Sequence, residues 1–451
     1  NYIIRKEGYF ARVNYDYASK YLLSASARLD KSSRFSDENN QGIFWSVGAG
    51  WNIHKEDFLK DSSVINELKL RASYGQVGND GGIDEEPGYQ VDLDLYSLGY
   101  NNGTESGVLL GQVGNSNLTW ESKNSFDVGL DFALFRNRIS GSLEYYLQDV
   151  KDMIFAVPVP NSAGVPGNSI YQNIGKMRNQ GVELSLNFGI VRNEKFSWDL
   201  GLIAAHNENE MLKMANGADD AIINGTKRIA EGHSLYDFWL RQWYGVDSSD
   251  GAALYVQDPT KADDSNTRTV NGTKVTTNYA NALYDYSGSS LPDVYGSITN
   301  NFRVGNFDAS IMLNYQLGGK TYDSNYALLM SSYPQGQAIS TDMLSAWKNP
   351  GDVTNVPIMS TANTTNASAA STRWLVSSDY LTIRTVQLGY NFDKRAIEGI
   401  GLSNLRVYVS GENLYSWTAR QGLEPAQSFN GTTTYRYTPS RTVSLGLNVS
   451  F

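Results

Sequence analysis

Tyr9, Ala11, Val13, Tyr15 and Tyr17 alternate with Phe10, Arg12, Asn14 and Asp16. After a short turn at Ala18 and Ser19, Tyr21, Leu23, Ala25, Ala27 and Leu29 alternate with Leu22, Ser24, Ser26, Arg28 and Asp30. A period of two is the mark of a β-strand with one apolar face, and two such runs across a tight turn make a hairpin. The same pattern predicts strands over 45–53, 68–74, 126–134, 139–147, 182–190, 198–204, 307–317 and 405–409, with further segments near 235–244, 253–256 and 294–302. Another strand slips phase, from Leu381 and Ile383 to Val386, Leu388, Tyr390 and Phe392, as one inserted bulge residue requires. The chain closes on RTVSLGLNVSF, where Val443, Leu445, Leu447, Val449 and Phe451 form one apolar row. The total is about fifteen segments.

The residues opposite each apolar row are mostly small and neutral rather than long and charged, which suits a crowded or water-filled lumen. Aromatics gather near strand ends, as at Trp45, Trp51, Tyr145, Tyr146 and Phe392, in the manner of girdles at membrane interfaces. Connections alternate in length. Short ones fall at 18–20, 135–137, 191–195 and 304–306, medium ones at 54–63 and 393–403, and long ones at 31–42, 77–121, 151–178, 207–234, 258–291, 318–374 and 413–437. Short turns on one side and long loops on the other describe an outer-membrane barrel with its long loops outside the cell. In a compact soluble domain such loops would be anomalous. No linker and no solenoid repeat divides the chain, so residues 1–451 read as part of one barrel domain.

Composition agrees with this. Of 451 residues, 29 are Tyr, 9 Trp and 42 Gly against 11 Pro, which favours many strands joined by Gly-rich loops. A mean hydropathy of −0.39 and the lack of any long apolar run exclude membrane helices but not a barrel, whose strands need only alternate. The net charge of −10 excludes a nucleic-acid surface. With no cysteine and 3 histidines, neither a disulfide framework nor a thiolate or all-histidine metal site is available.

In the closing strand, Ser444, Gly446, Val449 and Phe451 supply the polar residue, glycine and alternate hydrophobics by which the assembly machinery reads the last strand of an outer-membrane barrel. The stretches GYFARVNYDYASKYLLSASARLDKSSRF, ELKLRASYGQVGN, NSNLTWESKNSFDVGLDF, NIGKMRNQGVELSLN, DYLTIRTVQLGYNF and LRVYVSGENLYSWT resemble the SusC/RagA-like TonB-dependent transporters of Gram-negative outer membranes, in that family's order. The resemblance departs at Asp30-Lys31, where Asp-Gly is common, and in GVDSSDGAALYV. It implies a barrel of about twenty-two strands embedded in the lipid bilayer and gated by a plug. It also implies a TonB complex as energy source, a SusD-like lipoprotein as extracellular lid, and oligosaccharides or peptides as cargo. Plug and energy-coupling box would belong upstream of Asn1. The odd strand count adds an expectation that Asn1 emerges outside the cell, so that the chain is the C-terminal piece of a longer polypeptide with roughly seven earlier strands. A passive porin of about fourteen strands and, more distantly, a barrel hydrolase are the alternatives.

Candidate chemistry is sparse. His54, His206 and His233 lack ligand spacing, and adjacent His233 and Ser234 point to opposite faces of a strand, which argues against an enzyme. Asp219-Asp220 and Asp263-Asp264 are acidic enough for loop Ca²⁺, yet no segment has the ligand spacing of a calcium loop, so no cofactor is expected. In LYDFWLRQWYG, period two places Trp239 and Trp243 on one face with Asp237 and Arg241. With Tyr322, Tyr326, Tyr333, Trp347 and Trp374 of the long loops, they are candidate cargo contacts, since sugars and peptides both pack on flat rings. For 324–347 the alternative is helical packing through Tyr326, Leu329 and Met330.

Overall fold

The computed structural model describes residues 3–80, 90–214, 221–331, 336, 338–360, 364–420 and 422–451. Alternation becomes long antiparallel strands: β1 (Lys6–Tyr17), β2 (Tyr21–Ser32), β3 (Gln41–Asn52), β4 (Ile65–Asn79), β5 (Glu121–Leu134), β6 (Ile139–Lys151), β7 (Lys176–Arg192) and β8 (Phe196–Lys213), each paired with the next in chain order. A second series follows the same rule: β9 (Val294–Val304), β10 (Phe307–Leu317), β11 (Tyr380–Asn391), β12 (Asn404–Thr418) and β13 (Thr442–Ser450). The chain groups into two compact units. The first spans 1–193, 197–221 and 230–234, and the second spans 194–196, 222–229 and 235–451.

Burial along these strands is inverted relative to a water-soluble sheet. In β2, Tyr21, Leu23, Ala25 and Ala27 are exposed while Leu22, Ser24 and Ser26 are partly sheltered. In β3, Ile43, Trp45, Val47 and Trp51 are exposed while Gly42, Phe44, Gly48 and Gly50 are covered. In β13 the apolar row is exposed too, Val443 at 74% and Leu445 at 81%, though its polar partners are open as well. Apolar rows of this extent facing outward require a hydrocarbon surround. On the other face, ion pairs run across strands. Arg71 of β4 meets Glu144 and, at 3.4 Å, Asp131, while Arg178 meets Asp149 at 2.8 Å and Arg406 meets Asp308 at 2.5 Å.

Strand chemistry accounts for the irregularities. Ala18 and Ser19 both take positive φ, and the Lys20 amide closes the turn on the Tyr17 carbonyl at 3.0 Å, matching the twist of β1 and β2. Arg384 is the bulge residue that the phase slip in β11 demands, for pairing jumps from Ile383 to Thr385 against both neighbours. Gly446 of β13 pairs with Tyr408, and a Cβ there would meet the Tyr408 ring at 2.1 Å. Glycine there leaves room for the Tyr408 ring.

Two expectations of the sequence change here. Residues 235–244 and 253–256 are not long strands of the series, which therefore numbers thirteen among the described residues rather than about fifteen. The 235–244 segment breaks at Gln242 into Asp237–Arg241 and Trp243–Val246, which belong to different small sheets. The all-β, antiparallel class stands.

Candidate ligand-contact region

The long loops of the second unit fold into a core of their own. Strand Asp237–Arg241 pairs with Lys227–Ile229 on one edge and Tyr284–Ser289 on the other. Strands Trp243–Val246, Ala253–Val256, Thr273–Thr276 and Thr267–Val270 form a second sheet in that spatial order. Phe238, Leu240, Tyr322, Met330, Met343, Ala346, Val356 and Trp374 meet in one buried cluster, with Tyr326, Ala327 and Leu375 packed against it. The helix Ser324–Leu329 enters this core because Asp323, itself fully buried, caps it by accepting from the Tyr326 amide at 3.1 Å. Arg420 binds the same carboxylate through Nε at 2.8 Å, and Thr433 donates to it at 3.2 Å.

Several sequence candidates fall inside this core. Trp374 is 1% exposed, with Nε1 donating to the Ala369 carbonyl at 3.2 Å; Trp347 is 7% exposed, with Nε1 donating to the Ser248 carbonyl at 3.0 Å. Both rings are packed inside the loops rather than presented at their surface. Tyr322 is buried too, and burial pushes its hydroxyl up to about 12. Tyr326 lies edge-on to Trp374 with centroids 6.1 Å apart and donates to Asp342 at 2.7 Å; burial and that bond raise it to about 12. The packing reading of 324–347 holds for Tyr326 and Met330, though the helix itself is only Ser324–Leu329. Tyr333 and Asp219-Asp220 lie outside the described residues.

Trp239 and Trp243 remain half-buried, but the break at Gln242 separates them. Trp243 stands edge-on to Tyr255, its Nε1 donating to Asn355 at 3.0 Å, beneath the Arg373 guanidinium at 4.8 Å. Arg373 also covers Trp374 at 4.4 Å and donates to the carbonyls of Ala367 and Asn355, both at 2.9 Å; burial pulls it down to about 10. Trp239 stacks on Tyr284 with centroids 6.2 Å apart and meets Tyr286 edge-on at 4.8 Å. Arg228 lies 4.5 Å over Trp239, and Arg241 lies 4.7 Å over Tyr284 and 4.8 Å over Tyr279. Sequence reasoning found Trp239 and Arg241 on one face but missed Arg228, Tyr279, Tyr284 and Arg373. They come from distant segments that carry no shared spacing.

The other polar groups are engaged locally. The Ser234 hydroxyl donates to Asn209 at 3.0 Å, and His206 approaches Glu208 at 3.4 Å. Asp263 holds Lys274 through both oxygens, at 2.8 and 3.0 Å, and Asp264 accepts from the Asn266 amide and the Asn281 side chain. Among the described residues no three His, Cys, Asp or Glu side chains cluster as metal ligands. At the closing strand, Ser444 pairs with Ser410 and Val449 with Leu405, and Phe451 is exposed.

Comparison with known proteins adds a common theme. The family model described as TonB dependent receptor-like, beta-barrel, matches residues 1–282. TonB-dependent receptor P3 of Formosa agariphila is 32% identical over 467 residues, covering 98% of this chain and 45% of that protein. TonB-dependent receptor SusC of Bacteroides thetaiotaomicron is 28% identical over 457 residues, covering 98% and 43%. Among solved structures, the RagAB peptide importer in its closed-closed state superposes with a TM-score of 0.85 at 25% identity, over 99% of this chain and 48% of that one. The chain thus spans a little under half the length of the curated relatives it matches. These relatives are receptors and transporters rather than enzymes.

Proposed function

Because this chain belongs to the TonB-dependent receptor-like β-barrel family, we propose that it serves TonB-dependent import of oligosaccharides or peptides across the outer membrane of a Gram-negative bacterium. The supporting observation is the inverted burial of its long strands, with Ile43, Trp45 and Val47 facing out while Phe44 and Gly48 are covered, on a fold that matches a peptide importer over 99% of this chain and 48% of that one. A strand wall with an apolar exterior is at home only in a bilayer. By the same likeness to SusC and RagAB, a plug and energy-coupling box would be supplied by the N-terminal remainder of the same barrel. A SusD-like lipoprotein would cover the long loops.

Among the sequence candidates we assign cargo contact to Trp239, in company with the arginines stacked around it. The test is uptake of fluorescent oligosaccharides and peptides by cells carrying or lacking the gene, with and without the TonB complex. Loss of uptake in both deletions is the expected result. Uptake that needs the gene but not the TonB complex would mark a passive porin instead.

A further inference from the structure

Resting on the import reading, we propose that Arg228 and Arg241, with the Trp239–Tyr284 ring stack between them, form a subsite for a carboxylate- or sulfate-bearing oligosaccharide. The strand Asp237–Arg241 turns Phe238 and Leu240 into the loop core and Asp237, Trp239 and Arg241 the other way. Its partner strand sets Tyr286 opposite Trp239 and Tyr284 opposite Arg241, so rings and cations alternate over a single sheet face.

A guanidinium lying flat over a ring keeps its N–H groups pointing sideways, in the plane where an oxyanion can accept from them. Arg241 uses Nε on the Tyr279 carbonyl at 2.9 Å and one terminal nitrogen on the Ala370 carbonyl at 3.4 Å, leaving the other terminal nitrogen. Among the described residues neither Arg228 nor Arg241 is ion-paired with a carboxylate, whereas Arg71, Arg178, Arg268, Arg406 and Arg420 each are. Arg373 is also ring-stacked without a carboxylate among the described residues but spends donors on the Ala367 and Asn355 carbonyls, whereas Arg228 and Arg241 share a face with the single carboxylate of Asp237 and leave net positive charge there for an outside anion. Tyr284 is 37% exposed, so the stack is reached from solvent.

The geometry favours a saccharide over an acidic peptide. Extended peptides are commonly held by adding to a free strand edge. The strand bearing Trp239 and Arg241 is paired along one edge with Tyr284–Ser289, and its other edge is taken up at Phe238 by Lys227, at the Trp239 amide by the Thr226 carbonyl and at Arg241 by a bridge to Ser371. What the site offers instead is ring edges and side-chain donors, suited to anionic groups mounted on sugar rings.

Isothermal titration of the detergent-purified transporter tests this with four probes: a hexamer of galacturonic acid, a sulfated carrageenan hexasaccharide, neutral maltohexaose and hexaglutamate. Binding of at least one anionic saccharide is expected, weakened about tenfold by Arg228→Gln or Arg241→Gln and more by the pair, with maltohexaose unaffected by either change. Arg241→Lys, which keeps the charge but not the planar stacking on Tyr284 and Tyr279, should fall between wild type and Arg241→Gln. Heat-resistant electrophoretic migration shows that each variant is folded. No binding of either anionic saccharide, binding unchanged in the double variant, or hexaglutamate bound more tightly than both saccharides would each overturn the proposal. Because titration needs no energy source, these outcomes are independent of the uptake experiment: energised import can survive while the subsite fails, and the reverse.

Discussion

Leu445 and Trp374 are both large apolar side chains, and the chain treats them in opposite ways. Leu445 stands 81% exposed on β13, in a row with Val443 and Leu447, while Trp374 is 1% exposed within the loop core. Both placements are favourable because the surroundings differ: hydrocarbon beside the long strands, water around the loops. The wall of strands therefore needs no packed interior of its own and is held by ladder hydrogen bonds and cross-strand ion pairs. The loops must bury apolar area as a soluble domain does, and Phe238, Leu240, Met343 and Trp374 do so together.

This contrast can be broken in order of expected effect. Trp374→Ala empties the centre of the loop core and should cost about 3–5 kcal/mol there. Limited proteolysis within 318–378 should accelerate while heat-resistant migration of the barrel is unchanged; joint loss of both would show that the two regions are one cooperative unit. Leu447→Arg should cost about 2–4 kcal/mol if the side chain sits near the bilayer midplane. Leu344→Arg, at a leucine in the loops that is 76% exposed against 62% for Leu447, should change stability by no more than about 0.5 kcal/mol. Refolding into lipid vesicles under urea titration compares the pair, and equal effects would mean that both leucines meet the same solvent.

A third prediction concerns Lys227, which is buried with its ammonium 3.2 Å from the Phe238 ring centroid and donating to the Tyr236 carbonyl at 2.5 Å. Burial pushes it down to about 7 from an ordinary 10.5. Between those values the unfolded segment holds a proton that the folded one does not, so local stability should rise as pH rises from about 7 to about 10.5, and stay flat below. The ring and the carbonyl favour the ammonium and reduce the effect, to about 1–3 kcal/mol. Hydrogen exchange of 222–229, corrected for intrinsic rates, should show this slope in wild type and lose it in Lys227→Met. A smaller effect than that of Leu447→Arg is expected at Gly446, where Gly446→Ala drives a methyl into Tyr408 at a cost of about 1–2 kcal/mol. Tyr408→Leu should relieve that cost in the double variant, as urea titration would show.

The strands were legible because their signal is local. Alternation in 21–29 or 443–451 reads the same whether the apolar side meets lipid or a core, and the small partners Ser24, Ser26, Gly48 and Gly50 point to a barrel. Even the bulge at Arg384 shows as a slip in phase. Loop aromatics gave no such signal. Trp347 and Trp374 looked available because they sit in a long connection, yet their burial depends on Ser248, Gly251 and Ala369, brought to them only by folding. Residues 235–244 illustrate the other failure, since a run of alternating aromatics hides a break at Gln242 that tertiary contacts impose.

Time enters through Asp323. Its carboxylate is buried at the start of a helix, and the arginine that neutralises it, Arg420, follows 97 residues later. Thr433, which donates to the same carboxylate and exchanges backbone bonds with Tyr322 through Gly431 and its own amide, comes later still. During synthesis and export the helix emerges long before its counter-ion, and a buried unpaired carboxylate is strongly unfavourable. The loop core therefore cannot close on its earlier residues alone. Its closure requires the segment just ahead of β13 to be in place, so a change at Arg420 or Thr433 is felt at a helix about a hundred residues earlier in the chain.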